Sequence, residues 1–259
     1  MSHRAKKRFG QHFLRDARVI DRILHAFAPQ PTDSVCEIGP GEGALTRALL
    51  GRVARLHAVE LDRDLVTLLQ RALPPDQVTI HSADALTFDF NTLVASGEKL
   101  RLIGNLPYNI STPLLFHLIE QLGVVQDMLF MLQKEVVDRL VATPGGKDYG
   151  RLSVMIQWRL GVSRCFDVAP GAFSPPPRVH SSVVRLTPHA QPPIAVRDPT
   201  RFGQLVRAAF AQRRKTLRNT LRGLIDAEQM LAAGIDPQRR AETLTLEEFG
   251  RLARLGTDG

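Results

Sequence analysis

Within four residues, Asn105-Leu106-Pro107-Tyr108 supply a side-chain carbonyl, a backbone carbonyl with a set direction and a flat ring. Together they suit the presentation of an exocyclic amine to an electrophile. The amino group of an adenine is a poor nucleophile because its lone pair is delocalised into the ring. Acceptors aimed at both N–H bonds draw that nitrogen toward a tetrahedral, reactive geometry. Asn105 offers one acceptor and the Leu106 carbonyl a second. Pro107 removes a competing donor and fixes φ, so the carbonyl before it keeps its direction. Tyr108 offers a face on which a base stacks. The same residues also fit a strand that ends in a proline turn capped by an aromatic, so their neighbours decide.

Three earlier segments bear on that choice. Glu37-Ile38-Gly39-Pro40-Gly41-Glu42-Gly43 closes an apolar run just before a helical pattern. Gly39 and Gly41 allow a tight turn and a close approach of backbone N–H groups to a ligand. The acidic residues beside this loop disfavour a pyrophosphate; they suit a ligand with a cationic centre and a ribose, as in S-adenosylmethionine. Glu60 follows about twenty residues later, the position from which an acid accepts hydrogen bonds from ribose hydroxyls. Asp84, in Ser82-Ala83-Asp84, is placed to accept from an adenine amino group. Singly, either acid also reads as a helix N-cap or a solvated loop residue.

These residues need elements to position them. Strands are predicted over 35–38, 56–60, 78–81, 100–104 and 128–132, with helical spacing of apolar residues over 43–50 and 65–73. Such alternation requires crossovers, hence a parallel sheet with helices on both faces, a Rossmann-like α/β fold. Ligands bind at the carboxyl ends of such strands, where all the polar residues above fall. A helix is predicted over 152–160 and a strand over 181–186, while Phe173-Ser174-Pro175-Pro176-Pro177 interrupts regular structure. After Pro192-Pro193 the pattern is helical, through Phe202, Leu205, Val206, Ala209 and Phe210, then Leu217, Leu221, Leu224 and Ile225. The boundary falls near 190, dividing a domain over 1–190 from a small helical one over 191–259.

The composition is that of an ordinary globular protein, 44% hydrophobic over 259 residues. No apolar run approaches the ~18 residues of a membrane span, and the basic start leads into no apolar core, which argues against secretion and for the cytoplasm. Cys36 and Cys165 form no CxxC pair, so neither a metal site nor a disulfide framework is expected, and both read as buried small hydrophobes. A net charge of +8 points to a polyanionic partner, nucleic acid ahead of membrane. Residues 4 to 22 hold seven basic residues against two acids, and Arg213-Arg214-Lys215 with Arg207, Arg218 and Arg222 form a second cluster. Solvated basic faces are the alternative for both. No heptad or exposed apolar face calls for more than a monomer.

Taken together, Lys7-Arg8-Phe9-Gly10-Gln11-His12-Phe13-Leu14, Glu37 through Gly41, Val59-Glu60-Leu61-Asp62, Gly104 through Ser111 and Phe173 through Val179 make the chain resemble the small-subunit (16S) ribosomal RNA adenine dimethyltransferases over nearly its whole length. The resemblance implies transfer of two methyl groups to N6 of each of two adjacent adenines in the 3′-terminal hairpin of 16S rRNA, during assembly of the 30S subunit. The implied methyl donor is S-adenosylmethionine. The N-terminal segment is then expected to cover the cofactor through His12, where many members have asparagine, and Leu14. Asn105 would serve both cofactor and amine, alongside the Leu106 carbonyl, with the target base everted onto Tyr108. The family pattern adds Phe173 on the base's other side, although a Phe before three prolines also suits a loop anchor, and Gln11–Leu14 also suits a helix start. Arg214 and Lys215 are assigned to RNA phosphates. Two rivals remain at this level: a 23S rRNA adenine methyltransferase of the antibiotic-resistance type, and an RNA-binding assembly factor that keeps the fold without depending on methylation.

Overall fold

The computed structural model describes residues 11–255. The basic run from Arg4 to Arg8, with Phe9 and Gly10, lies outside the described residues. Two compact units divide the chain. The first runs to Val137 and resumes from Val162 to Pro188; the second joins Asp138–Gly161 to everything from His189 onward.

In the first unit a two-residue strand, β1 (Phe13–Leu14), leads to α1 (Ala17–Phe27). Then β2 (Ser34–Ile38), α2 (Ala44–Leu49), β3 (Arg55–Glu60), α3 (Arg63–Ala72) and β4 (Thr79–Ser82) alternate, followed by β5 (Leu100–Asn105), α4 (Ser111–Ile119) and β6 (Val125–Gln133). After α5 (Lys134–Leu140) and α6 (Arg151–Arg159) come β7 (Leu160–Val168), β8 (Phe173–Ser174) and β9 (Ser181–Pro188). The main sheet has the order β4-β3-β2-β5-β6-β9-β7. Its strands from β4 to β6 are parallel, and β9 is antiparallel to β6. All five residues of β2 are buried, as a central parallel strand covered on both faces requires. The expected Rossmann-like sheet is present, with helices around it.

Strand order reverses between β2 and β5, the place where the connections diverge and leave a crevice at the carboxyl ends. Gly104 lets the two ends close up: a Cβ there would collide with the Ile38 carbonyl oxygen of β2. At the opposite, amino end of β5 Arg101 is buried and fully engaged. It pairs with Asp127 at 2.7 and 2.9 Å and Asp33 at 2.6 Å, and donates to the Phe27 and Ala28 carbonyls at 2.7 and 3.2 Å. Arg185 reaches Asp127 and the Ala26 carbonyl as well. The exposed carbonyls at the C-terminus of α1 are thereby satisfied by two cations, which also suit the negative end of the helix dipole.

The second unit has its own core. Trp158 of α6 meets Phe202 of α7 (Pro199–Ala209) edge-on at 4.8 Å, and Phe210 stacks on Phe249 of α10 (Leu246–Arg254) at 5.7 Å. Residues 138–161, assigned to the sheet domain from sequence, are grouped with the tail because α6 supplies the aromatic surface on which α7 packs. Between them lie α8 (Leu217–Thr220) and α9 (Ala227–Ala232). The helix expected through Ile225 stops after one turn, and Gly223 takes a positive φ of 83° soon after.

Three local expectations are corrected. Residues 13 and 14 form a strand rather than a helix start, because β1 pairs with β8. Cys165 is exposed, whereas Cys36 is buried, and burial holds its thiol far above the ordinary range. Leu160, expected to end the helix over 152–160, instead opens β7 (Leu160–Val168), whose residues 161–168 had no sequence assignment. Replacing Arg101 by Met should lower unfolding free energy by about 3 kcal/mol, since Asp33 and Asp127 would be left buried with Arg185 as the remaining cation. Urea denaturation of the two proteins measures this.

Candidate active site

A cavity opens over the carboxyl ends of β2, β3 and β5, and every wall of it belongs to the first unit. His12, Leu14, Gly39, Gly41, Glu60 and Asp84 line it, together with Asn105, Leu106 and Tyr108. Residues far apart in the chain, such as His12 and Tyr108, thus meet at one place over the ends of a parallel sheet.

The glycine loop is held from below by Glu60. Its two carboxylate oxygens accept the Gly41 N–H at 3.2 Å and the Asp62 N–H at 2.9 Å. Gly41 has φ 58°, and a Cβ there would press on the Phe13 ring at 3.0 Å, so the loop and β1 fit together only without a side chain. Each Glu60 oxygen retains a lone pair for a hydroxyl in the cavity. Glu60 is buried, and burial raises its pKa, opposed by those backbone hydrogen bonds. Asp84 accepts the Leu86 N–H at 2.9 Å through one oxygen, so it acts as a turn cap and still lines the cavity with the rest of its carboxylate.

Asn105 is fixed by a contact that sequence does not reveal. Its side-chain N–H donates to the His12 carbonyl at 2.8 Å. With the amide nitrogen committed, Oδ1 is the acceptor that remains. Leu106, buried, donates its own N–H to the Met131 carbonyl at 3.1 Å, which fixes the Asn105–Leu106 peptide plane. The Tyr108 hydroxyl meets the Ser181 hydroxyl at 2.8 Å, and its ring lies 5.4 Å from the His12 imidazole, tilted by 32°. His12 Nδ1 in turn lies 2.8 Å from the Pro175 carbonyl. Burial raises the Tyr108 pKa, so its phenol stays neutral.

Phe173 requires a correction. It is 5% exposed, pairs with Leu14 across β1 and β8, and lies in the hydrophobic cluster with Leu14, Ile23 and Ala172, away from the cavity wall. A ring packed there holds the β1–β8 pair against the core. Arg214 and Lys215 are exposed in the second unit. Arg213 differs from them: it bonds Glu242 at 2.9 Å and the Lys147 carbonyl, a structural tie. Among the described residues no helix is long and apolar enough to cross a membrane, and no group of three or more His, Cys, Asp or Glu gathers to hold a metal.

Glu37 is the residue that sequence reasoning left without a role of its own, counting it only among the acids beside the loop. It lies in β2, 2% exposed, lines the cavity and accepts the Thr46 hydroxyl at 2.5 Å. Burial pushes its pKa up to about 7, with the nearby Glu60 adding to the rise. The available signal was a lone carboxylate inside an otherwise buried strand. Two buried acids on one floor favour a cationic ligand, because a positive charge relieves both.

A family model described as ribosomal RNA adenine dimethylase matches residues 2–257. The chain belongs to that family. Two curated relatives named ribosomal RNA small subunit methyltransferase A are 58% identical to this dimethylase-family chain. The Pseudomonas aeruginosa protein aligns over 252 residues, 97% of this chain and 94% of its own; that of Laribacter hongkongensis aligns over 247, 95% and 94%. Among solved structures, a dimethyladenosine transferase from Plasmodium falciparum matches with a TM-score of 0.78 at 24% identity, covering 93% of this chain and 96% of its own. The 23S rRNA methyltransferase ErmE matches with a TM-score of 0.70 at 26% identity, covering 93% and 98%. In this dimethylase-family chain the cavity lies at the reversal of strand order.

The raised pKa of Glu37 has a measurable consequence. A folded-state value of about 7 against an ordinary 4.5 means its stabilising contribution is complete at low pH and is lost as pH rises through about 7. Glu37→Gln should therefore match the parent protein at about pH 4, below the unfolded value, and exceed it in stability at about pH 8. Thermal melts at both pH values measure the difference.

Proposed function

We propose that the protein transfers methyl groups from S-adenosylmethionine to N6 of two adjacent adenines in the 3′-terminal hairpin of 16S rRNA, two to each, acting on an immature 30S particle. The observation that carries the chemistry is the anchored Asn105 carboxamide, whose nitrogen is held by the His12 carbonyl so that oxygen is left for the amine. The choice of RNA rests on the 58% identity to relatives named as small-subunit methyltransferases, against 26% to the 23S enzyme ErmE.

The donor set suits the cofactor. Glu60 has oxygens free to accept from ribose hydroxyls, Asp84 to accept from an adenine amine, and Glu37 to face a cation, while His12 and Leu14 cover the cleft from the N-terminal side. When bound, S-adenosylmethionine supplies an electrophilic methyl group on a sulfonium. The protein's own contribution is positional and electrostatic. The everted adenine stacks on Tyr108. Asn105 Oδ1 accepts from one N–H and the Leu106 carbonyl from the other, which returns lone-pair density to the nitrogen. As the nitrogen takes the methyl, one N–H proton leaves to water. In the second transfer only one N–H remains, so one of the two acceptors must suffice.

Arg214 and Lys215 are proposed to meet RNA phosphates, since both are exposed and flank the structural Arg213. Charge reversal at both should weaken particle binding by at least about tenfold and flatten its salt dependence. Filter binding across a salt series measures that, and an unchanged slope assigns the pair to solvent.

The central test incubates the protein with labelled S-adenosylmethionine and unmethylated 30S particles, 50S particles or duplex DNA, followed by nucleoside analysis. Dimethyladenosine from 30S material alone is expected; label in 50S particles would establish the 23S alternative. Binding without any methylation would favour the assembly-factor reading. In the same assay Asn105→Ala should lower kcat on the order of 100-fold while cofactor binding stays within a few-fold. Near-normal turnover would remove Asn105 from the amine.

A further inference from the structure

Ser181 opens β9 and is completely buried. Its hydroxyl has one described partner, the Tyr108 hydroxyl 2.8 Å away and 73 positions earlier in the chain. Both ends of this bridge rest on β6. Ser181 is in register with Gln133, and the Leu106 N–H bonds the Met131 carbonyl. The neighbouring His180 carbonyl accepts the Lys134 N–H at 2.9 Å, so the start of β9 is fixed by backbone as well. The Tyr108 ring is consequently held at its two extremes. On the backbone side, the Ile110 N–H and the Ser111 hydroxyl both bond the Pro107 carbonyl, at 3.2 and 3.0 Å. At the far side the phenol is tethered to Ser181.

One side of the ring is already occupied. The His12 imidazole is 5.4 Å away, a separation at which two rings touch each other and no base fits between them. The adenine stacks where the imidazole leaves the ring open, and its angle depends on where the phenol oxygen is pinned. A ring free to swing about its side-chain torsions would carry a stacked base, and hence N6, away from Asn105 Oδ1. Small misplacements of this kind cost large factors in rate.

We infer that Ser181 is a positioning residue for methyl transfer, acting through its hydroxyl to set the angle of the Tyr108 ring on which the target adenine stacks. The inference rests on the proposed role of Tyr108. It assigns the phenol O–H to the protein rather than to the RNA, and leaves the ring face as the part that meets substrate.

The test compares Ser181→Ala, Tyr108→Phe and the double variant, as full chains, on unmethylated 30S particles. Each single variant should lose about five-fold in kcat, the effect of one net hydrogen bond. KM for the particle and the affinity for S-adenosylmethionine should stay within about two-fold, because neither depends on the ring's angle. The double variant should be no slower than the worse single one, since both lose the same bond. Melting curves confirm that each variant is folded at the assay temperature. A folded Ser181→Ala protein with parental kcat overturns the inference, as does a double variant whose loss equals the product of the two. If Ser181→Ala does not fold, Tyr108→Phe decides alone: parental kcat overturns the inference, and the five-fold loss supports it. A parent protein that methylates no particle overturns the reading beneath it, and the inference falls with that.

Discussion

The site depends on how closely β5 runs beside β2 at their carboxyl ends. Gly104 faces the Ile38 carbonyl with no side chain between, and any Cβ would push the two strand ends apart. That close approach puts the Asn105–Tyr108 stretch directly beside the Gly39–Gly41 loop: a Cβ at Gly39 would lie 3.6 Å from the Pro107 ring. In the proposed function, a methyl donor over β2 and an acceptor over β5 meet only if this gap is narrow. Because strand order reverses at the same place, the chain connections leave in opposite directions and keep the gap open to a ligand.

The floor of the cleft is built from groups that are costly to bury alone. Glu60 is buried with two backbone N–H donors, and Glu37 with the Thr46 hydroxyl, yet burial still raises the pKa of both. Such a floor is stored electrostatic tension that a cation relieves, which links stability in the empty protein to affinity in the loaded one. The roof has a different logic. His12 meets three elements at once, through its carbonyl to Asn105, its ring to Tyr108 and its Nδ1 to Pro175. The β1–β8 pairing and the buried Phe173 ring hold that segment in register. The proposed cofactor cover and substrate wall are therefore parts of one packed unit.

Much of this was legible in the chain itself. Strands at 34–38, 55–60, 79–82, 100–105 and 125–133 lie within a few residues of the predicted runs, because buried parallel strands must be apolar and the crossovers between them must carry helical spacing. The residues that ended those runs were bound to converge, whatever the details of packing. Less legible were features set by a distant partner. β1 and β8 are two residues each, too short for a periodic signal, and exist because each supplies the other's hydrogen bonds. Residues 138–161 carry a helix whose Trp158 finds Phe202 across a long stretch of chain, which no local composition announces.

The amino-acid sequence by itself determined the chemistry on offer: glycines in a turn, an acid closing β3 and another after β4, and a carboxamide, a proline and a phenol at the end of β5. Their spacing along alternating strands and helices obliged them to gather at one end of a sheet. Only the tertiary structure decided which way each one faces. Phe173 turns into the core, Asn105 spends its nitrogen on His12 and keeps its oxygen, and Tyr108 is pinned by Ser181. Residue type fixes what a side chain can donate or accept, but its direction follows from partners brought close by packing, and those lie tens of residues away along the chain.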